Sequence, residues 1–134
     1  MKNKLYFSYG GFHGPNYEIK YKDKRFEISL GEISSQSIFY VSYPDEQKWN
    51  NFWFFVNNHN IWLWNKKYFN ENILDGIQWE IKLSNSSNKV KSYGSNMFPN
   101  HQIFKSLISE FGILFDVDIT ELQKDFSIFI NEIS

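Results

Sequence analysis

Two stretches of alternating apolar and charged residues constrain the fold of this chain more than any other feature. The first reads YEIKYK at residues 17–22 and resumes as RFEISL at residues 25–30, and the second reads WEIKL at residues 79–83. A period of two places the apolar side chains on one face of a strand and the polar ones on the other. The first stretch predicts a β-hairpin, and the second predicts another that crosses residues 84–88 and returns through residues 89–93.

Each hairpin precedes an amphipathic helix that begins in the same way. Asp45 follows one proline and Asn100 follows another, and both residue types favour the N-cap of a helix. Apolar residues fall 5, 8, 9 and 12 positions after each proline: Trp49, Phe52, Trp53 and Val56 in the first helix, and Phe104, Leu107, Ile108 and Phe111 in the second. This spacing indicates either duplication of a hairpin-and-helix unit, at residues 17–58 and 77–114, or the common rules of helix formation.

A third helix is predicted at residues 118–133. Asp118 and Glu121 form a pair that resembles a capping box, and an apolar stripe runs from Ile119 to Ile133. The full length of 134 residues suits one domain. We therefore predict a single α+β domain, with an antiparallel sheet of five to seven strands, the two similar helices on one face, and the C-terminal helix at an edge or on the other face.

The segment IWLWN at residues 61–65 predicts a strand that is apolar on both faces. Ile61 and Leu63 would point to one side, and Trp62 and Trp64 to the other. The second face would be covered by the third helix or exposed to a partner. Exposed tryptophans and tyrosines are typical of the centre of protein interfaces, so Trp62, Trp64 and Tyr68 are the predicted partner-binding anchors.

Charge is balanced over the whole chain but not along it. The formal net charge is −1, which provides no general attraction to nucleic acid or to an anionic membrane. Residues 101–134 nevertheless carry two lysines and six carboxylates. Glu121 and Asp125 on the third helix are therefore predicted to steer a basic protein partner. That helix would pack on its own sheet or on another chain, which leaves a homodimer open.

One basic cluster supports an alternative function. Lys20, Lys22, Lys24 and Arg25 alternate with aromatic residues, as in a platform for single-stranded nucleic acid. The aromatic residues, however, would alternate onto the face opposite Lys20 and Lys22. Single-stranded nucleic acid binding by the hairpin around Lys20 to Arg25 is therefore the second hypothesis, after binding of another protein.

No pattern of catalytic, cofactor-binding or metal-binding residues is visible. His13, His59 and His101 lie far apart, cysteine is absent, and no Gly-x-Ser-x-Gly motif occurs. An enzyme or a small-molecule binder with a pocket between sheet and helix is the least favoured class. The N-terminus has no secretory signal pattern and no segment approaches the roughly 20 apolar residues of a membrane span, so we expect a cytoplasmic protein without cofactors.

Residues 64–99 contain aromatic, glycine, asparagine and proline residues in a recognisable pattern. The matching residues are Trp64, Tyr68, Leu74, Asp75, Gly76, Trp79, Tyr93, Gly94, Ser95, Asn96 and Pro99. Through them, residues 62–111 resemble a family of small bacterial proteins with the pattern W…Y…LDGxxWxL…YGSNxYP, from which Ile81 and Phe98 are conservative departures.

Members of that family look like accessory proteins encoded beside toxins or in mobile elements. The resemblance therefore implies an immunity protein or another inhibitor, such as one of a phage or host defence effector, rather than an enzyme. Gly and Asn in the pattern also have ordinary uses in turns. Whether the pattern marks a site or only the fold stays open at this level.

Overall fold

The computed structural model describes residues 3–11, 16–22, 24–30, 38–40, 44–69 and 76–133 and contains one sheet with three helices packed against it. The strands are β1 (Lys4–Gly11), β2 (Asn16–Lys22), β3 (Arg25–Leu30), β4 (Ile38–Tyr40), β5 (Lys67–Phe69), β6 (Ile77–Ser84) and β7 (Lys89–Ser95). The helices are α1 (Glu46–Asn58), α2 (His101–Phe115) and α3 (Thr120–Ile133), and a short 3-10 helix covers Ile61–Leu63. The predicted α+β fold is confirmed.

The sheet has the strand order β4-β3-β2-β1-β6-β7-β5. Five of its neighbouring pairs are antiparallel, whereas β5 runs parallel to β7. The sheet is therefore mixed rather than wholly antiparallel. A parallel pair needs a crossover connection instead of a hairpin, and the chain from β5 to β7 meets this requirement by passing through β6.

The two alternating stretches flank the central strand β1 in the same register. Tyr9 faces Tyr17 on one side and Trp79 on the other. Phe7 likewise lies between Ile19 and Ile81. The similarity of YEIK and WEIK thus reflects two strands that occupy equivalent positions on either side of β1.

The topology bears on the question of duplication. Strands β2 and β6 run in the same direction, because both are antiparallel to β1. However, β3 lies outside β2 at one side of the sheet, and β7 lies outside β6 at the other. With helices on the same face, the two hairpin-and-helix units have opposite hands and cannot be superposed by a rotation. This arrangement favours common rules of helix formation over duplication.

The sheet buries only one of its faces. The apolar positions of β1, β2, β3, β6 and β7 all point to that face, where they meet the helices. Helix α2 crosses the middle, with Phe111 against Phe7 at 5.0 Å between ring centroids. Helix α1 covers one end of the strands, where Trp49 meets Tyr21 at 5.0 Å.

Helix α3 lies on the same face as the other two helices, contrary to the expectation of an edge or the opposite face. Its Phe126 packs on Tyr9, Phe98 and Phe104 at centroid distances of 6.0, 5.1 and 5.1 Å. In the described part of the sheet, the opposite face carries mainly polar and charged side chains, among them Glu18, Lys20, Glu80 and Lys82. The apolar stripe therefore completes the single core instead.

The helix starts follow the predicted caps. The side chain of Asp45 accepts a hydrogen bond from the Lys48 amide at 2.8 Å, and that of Asn100 accepts one from the Ile103 amide at 3.0 Å. All eight apolar positions that the shared spacing identifies in α1 and α2 are buried. The predicted boundaries and buried faces of these two helices are confirmed.

The strand predicted at residues 61–65 is wrong. After α1 the chain turns through Asn60, which has a left-handed conformation with φ 54°, and continues as a 3-10 helix. Within this turn the Leu63 amide donates to the Asn60 carbonyl at 3.0 Å. The local backbone hydrogen bonds thus outcompete the alternating pattern, leaving Ile61 fully buried and Leu63 77% exposed.

A tyrosine pair introduces polar atoms into the aromatic core. The Tyr17 hydroxyl donates a hydrogen bond to the Asp125 carboxylate and so ties β2 to α3. The Tyr9 hydroxyl beside it is buried, with no hydrogen-bond partner within the part of the chain that the structure describes. Burial raises the pKa of both hydroxyls well above the ordinary value, so both stay protonated donors at neutral pH.

We predict opposite effects for the two corresponding phenylalanine variants. Tyr17→Phe should lower the free energy of unfolding by about 1.5 to 3 kcal/mol, because Asp125 loses a charge-assisted hydrogen bond. Tyr9→Phe should leave it unchanged or raise it by about 1 kcal/mol, because a buried hydroxyl without a partner is removed. Urea unfolding at pH 7 measures both. Tyr93→Phe on the open face is the control, and equal losses in the two core variants would contradict this assignment.

Candidate functional site

The indole of Trp79 organises the edge of the sheet where the predicted anchors lie. Its ring is buried and packs on Trp64, Tyr68 and Phe104 at centroid distances of 6.3, 6.0 and 5.1 Å. Its Nε1 donates to the Met97 carbonyl at 2.8 Å. A single tryptophan on β6 therefore holds the segment before β5, the turn after β7, and α2 together.

Gly94 near the end of β7 and Asn96 directly after β7 make this close packing feasible. A Cβ atom added to Gly94 would lie 2.5 Å from Trp79 Nε1 and 2.7 Å from the Tyr68 and Met97 carbonyl oxygens. Only glycine fits there. Asn96 has a left-handed conformation with φ 61°. Its buried side-chain oxygen accepts a hydrogen bond from the Ile77 backbone amide at 2.6 Å, and its backbone amide donates one to the Ile77 carbonyl at 2.8 Å.

Residues of the W…Y…DG…W…YGSN pattern therefore meet in one structural cluster. Gly76 supports the same arrangement, because a side chain at this position would collide with the Asn96 amide group. The neighbouring Leu74 and Asp75 lie outside the described residues. Among the matching residues in the described part, six have packing or turn-forming roles: Trp64, Tyr68, Gly76, Trp79, Gly94 and Asn96.

The three predicted aromatic anchors are half-buried, and only two of them come together. Trp64 and Tyr68 both rest on Trp79. Trp62 instead stacks on Trp53 of α1 at 5.3 Å, and its Nε1 donates to the Asn57 side chain. The tryptophans thus point towards different helices, and each keeps part of its ring accessible.

Exposed aliphatic and aromatic side chains complete this surface. Leu63, Phe69 and Met97 are 77%, 49% and 45% exposed. Together with the anchors they form what we call the apolar edge: Trp62, Leu63, Trp64, Tyr68, Phe69 and Met97. Within it, Phe69 projects to the side of β5 opposite Tyr68 and meets Tyr93 at 5.9 Å between ring centroids. Sequence reasoning missed Leu63, Phe69 and Met97 because hydrophobicity alone predicts burial. The only signal was their position at or just beyond the end of a short element or strand.

The two predicted acidic residues lie elsewhere and differ from each other. Glu121 is exposed at the start of α3, whereas Asp125 is half-buried and accepts the Tyr17 hydrogen bond. Strand β2, which carries Tyr17, lies four positions from β5 in the sheet, a separation of about 19 Å. Only Glu121 is thus free to act as a steering charge, and it is not part of the apolar edge.

The predicted basic hairpin also has two sides. Lys20 and Lys22 project from the open face of the sheet, whereas Tyr17 and Tyr21 are buried under the helices. Lys20 forms an ion pair with Glu18 at 3.3 Å, which raises the pKa of Lys20. Lys24 occupies the hairpin turn with φ 63°. The expected separation of aromatic and cationic faces in this hairpin is confirmed.

The remaining titratable groups form no compact centre. His59 and His101 are exposed at the end of α1 and the start of α2, and His13 lies outside the described residues. Among the described residues, no group of three or more His, Cys, Asp or Glu side chains could hold a metal ion. Asp118 caps α3, and its pKa is lowered by hydrogen bonds from the Thr120 side chain and amide.

Comparisons with protein-family models, curated proteins and solved structures found no match. No helix in the described ranges is long and apolar enough to span a membrane. The candidate functional site is therefore defined by the geometry of the chain itself, namely the apolar edge and its Trp79 support.

We predict that Gly94→Ala lowers the free energy of unfolding by about 2 to 4 kcal/mol, because the added methyl group overlaps the Trp79 indole and two carbonyl groups. Ser95→Ala is the matched control on the same strand and should change stability by less than about 0.5 kcal/mol. Thermal unfolding followed by near-UV circular dichroism measures both. Equal stability of the two variants would contradict the close packing at Gly94.

Proposed function

We propose that this protein is a non-catalytic inhibitor that binds another protein through the apolar edge. The single observation that carries the proposal is that Leu63 is 77% exposed between the half-buried Trp62 and Trp64, and that Trp64 rests on the buried Trp79. An exposed apolar cluster is unfavourable in water unless a partner covers it. Aromatic side chains held in fixed rotamers lose little entropy on binding, which suits them as interface anchors.

The packing around Trp79 supports the same proposal. Trp64 and Tyr68 are fixed against a buried indole, and the Tyr68 hydroxyl accepts a hydrogen bond from the Asn65 amide at 2.9 Å. A surface held in this way is preorganised for a partner. Preorganisation of the free protein reduces the ordering cost of association and so favours a slowly dissociating complex, which an inhibitor requires.

The target class follows from the family resemblance, not from the geometry. The residues around Trp64, Trp79 and Asn96 resemble small bacterial proteins that look like accessory proteins of toxin or mobile-element loci. We therefore infer an immunity protein for a toxin, or an inhibitor of a phage or host defence effector. Inhibition would come from covering the active surface of the target, with no covalent step.

We predict that Leu63→Asp weakens binding of the target about tenfold or more, because an exposed anchor becomes a charge that must be desolvated in the complex. The tagged protein would be co-expressed with the products of genes that neighbour its own. Stoichiometric partners would be identified by mass spectrometry, and their affinity measured by calorimetry. Leu63 is preferable to Trp64 because it does not support the Trp79 cluster.

Ile113→Asp is the matched control, since Ile113 is 63% exposed on α2 and lies outside the apolar edge. This variant should retain full affinity. If both variants bind equally well, the apolar edge is not the binding surface. If the unmodified protein captures no stoichiometric partner, the inhibitor proposal itself is wrong.

We also predict that Glu121→Lys slows association with the captured target about threefold at low ionic strength, because a steering charge on α3 is reversed. The effect should disappear near 0.5 M salt, where charges more than a few Å apart are screened. Stopped-flow mixing measures the association rate constant. Asp125 is unsuitable for this test because its substitution also breaks the Tyr17 hydrogen bond. Glu46→Lys on α1 is the control. An unchanged association rate for Glu121→Lys would remove the steering role.

A further inference from the structure

The open face of the sheet carries a cluster of cations that no single segment of the sequence contains. One row of neighbouring residues across four strands reads Lys20, Tyr6, Lys82 and Lys91. The next row brings Lys4, Lys22 and Lys89 together at the ends of β1, β2 and β7. These six lysines surround an open depression of about 710 Å³, and Arg25 extends the cluster onto β3.

These cations are not explained by the needs of folding. Lys82 and Lys91 lie directly opposite each other on neighbouring strands, and like charges in such positions destabilise a sheet. Among the described residues, Lys20 with Glu18 is the only ion pair within 4 Å. The strand register places three carboxylates on this face, Glu18, Glu27 and Glu80, against eight cations, namely the seven of the cluster and Lys67 on β5. The face therefore has a surplus of positive charge.

An aromatic ring lies in the middle of the cations. Tyr6 is half-buried on β1, between Lys20 and Lys82. Its hydroxyl donates to Glu18 at 2.9 Å, which fixes the ring, and Lys82 Nζ lies 5.3 Å from the ring centroid. A fixed ring between cationic side chains is the arrangement that stacks one base while neighbouring phosphates are neutralised.

We propose that this open face binds single-stranded nucleic acid. The strand would cross β2, β1, β6 and β7, with its phosphates at the lysines and a base on Tyr6. This proposal goes beyond the inhibitor function, since it uses the face of the sheet opposite the helices and none of the residues of the apolar edge. The negative helix layer, with seven carboxylates and three lysines in residues 46–58 and 101–133, would orient a polyanion towards the sheet.

The position of Tyr6 favours a single strand over other polyanions. A duplex keeps its bases inside, and an acidic protein surface has no base to stack, so neither would need a ring in the middle of the lysines. The depression is also open enough for a flexible chain to enter from the side. DNA and RNA single strands share this chemistry, and separate probes distinguish them.

The test is fluorescence anisotropy of the full chain with labelled dT15 and rU15 oligonucleotides at 50 mM salt. We expect binding of one or both oligonucleotides. A plot of the logarithm of the association constant against the logarithm of the salt concentration should have a slope of about −2 or steeper, because each contacted phosphate adds about −0.7 to the slope. The double variant Lys82→Glu/Lys91→Glu should bind at least about tenfold more weakly. Tyr6→Leu should weaken binding at least about fivefold, whereas Tyr6→Phe, which keeps the ring, should not.

Lys105→Glu/Lys124→Glu is the matched control, since it makes the same change in charge on the helix layer, where both lysines are exposed. It should bind within about twofold of the unmodified protein. Circular dichroism establishes that each variant is folded. No binding of either oligonucleotide at 50 mM salt, or equal losses in the two double variants, overturns the proposal.

A poly-glutamate peptide in place of the oligonucleotides addresses an acidic protein as the partner. Comparable affinity for this peptide, together with no effect of Tyr6→Leu on oligonucleotide binding, would also overturn the proposal in favour of an acidic protein surface. Because the variants leave Leu63 and Trp64 unchanged, their loss of oligonucleotide binding is distinguishable from failure of the inhibitor function.

Discussion

Burial of only one face of the sheet is the constraint on which the rest of this structure depends. The strands alternate, so the buried side chains of β1, β2 and β6 all point to the same side, and three helices cover that side. The packing is predominantly aromatic, from Phe7 and Phe111 in the middle to Phe126 at one end. Because the core lies on one side, α3 joins the other helices, and the opposite face is left to polar and charged residues.

Trp79 connects this core to the surface. Its indole is packed by residues from β5, α2 and the turn after β7, and that packing requires glycine at position 94 and a left-handed residue at position 96. The same residues make up the W…Y…DG…W…YGSN pattern. Their spacing is thus a requirement of packing. The exposed side chains that the packing supports provide the surface we assign to a partner.

The two proposed binding surfaces follow from different physical forces. The apolar edge would gain free energy from removing apolar area from water, with little dependence on salt. The open face carries a surplus of lysines, so its binding would be dominated by charge and would weaken as salt is added. Since the surfaces use different residues, an inhibitor that also contacts nucleic acid would need no conformational change to hold both partners.

The sequence by itself determined the local structure, because periodicity, caps and turn residues act over a few positions. The hairpins of β2 with β3 and β6 with β7, the buried positions of α1 and α2, and the caps at Asp45 and Asn100 could all be predicted. The segment at residues 61–63 could not, because its alternation resembles a strand whereas backbone hydrogen bonds after Asn60 favour a 3-10 helix.

Only the tertiary structure decided which residues meet on a surface. The six lysines around the depression come from four strands whose order in the sheet is not written in any local pattern. Leu63 is exposed because of where its turn ends. Pairing between distant strands depends on the whole core, whereas alternation depends on immediate neighbours. For that reason the sequence predicted which side of each strand is polar, and the fold alone determined that those polar sides form one cationic face.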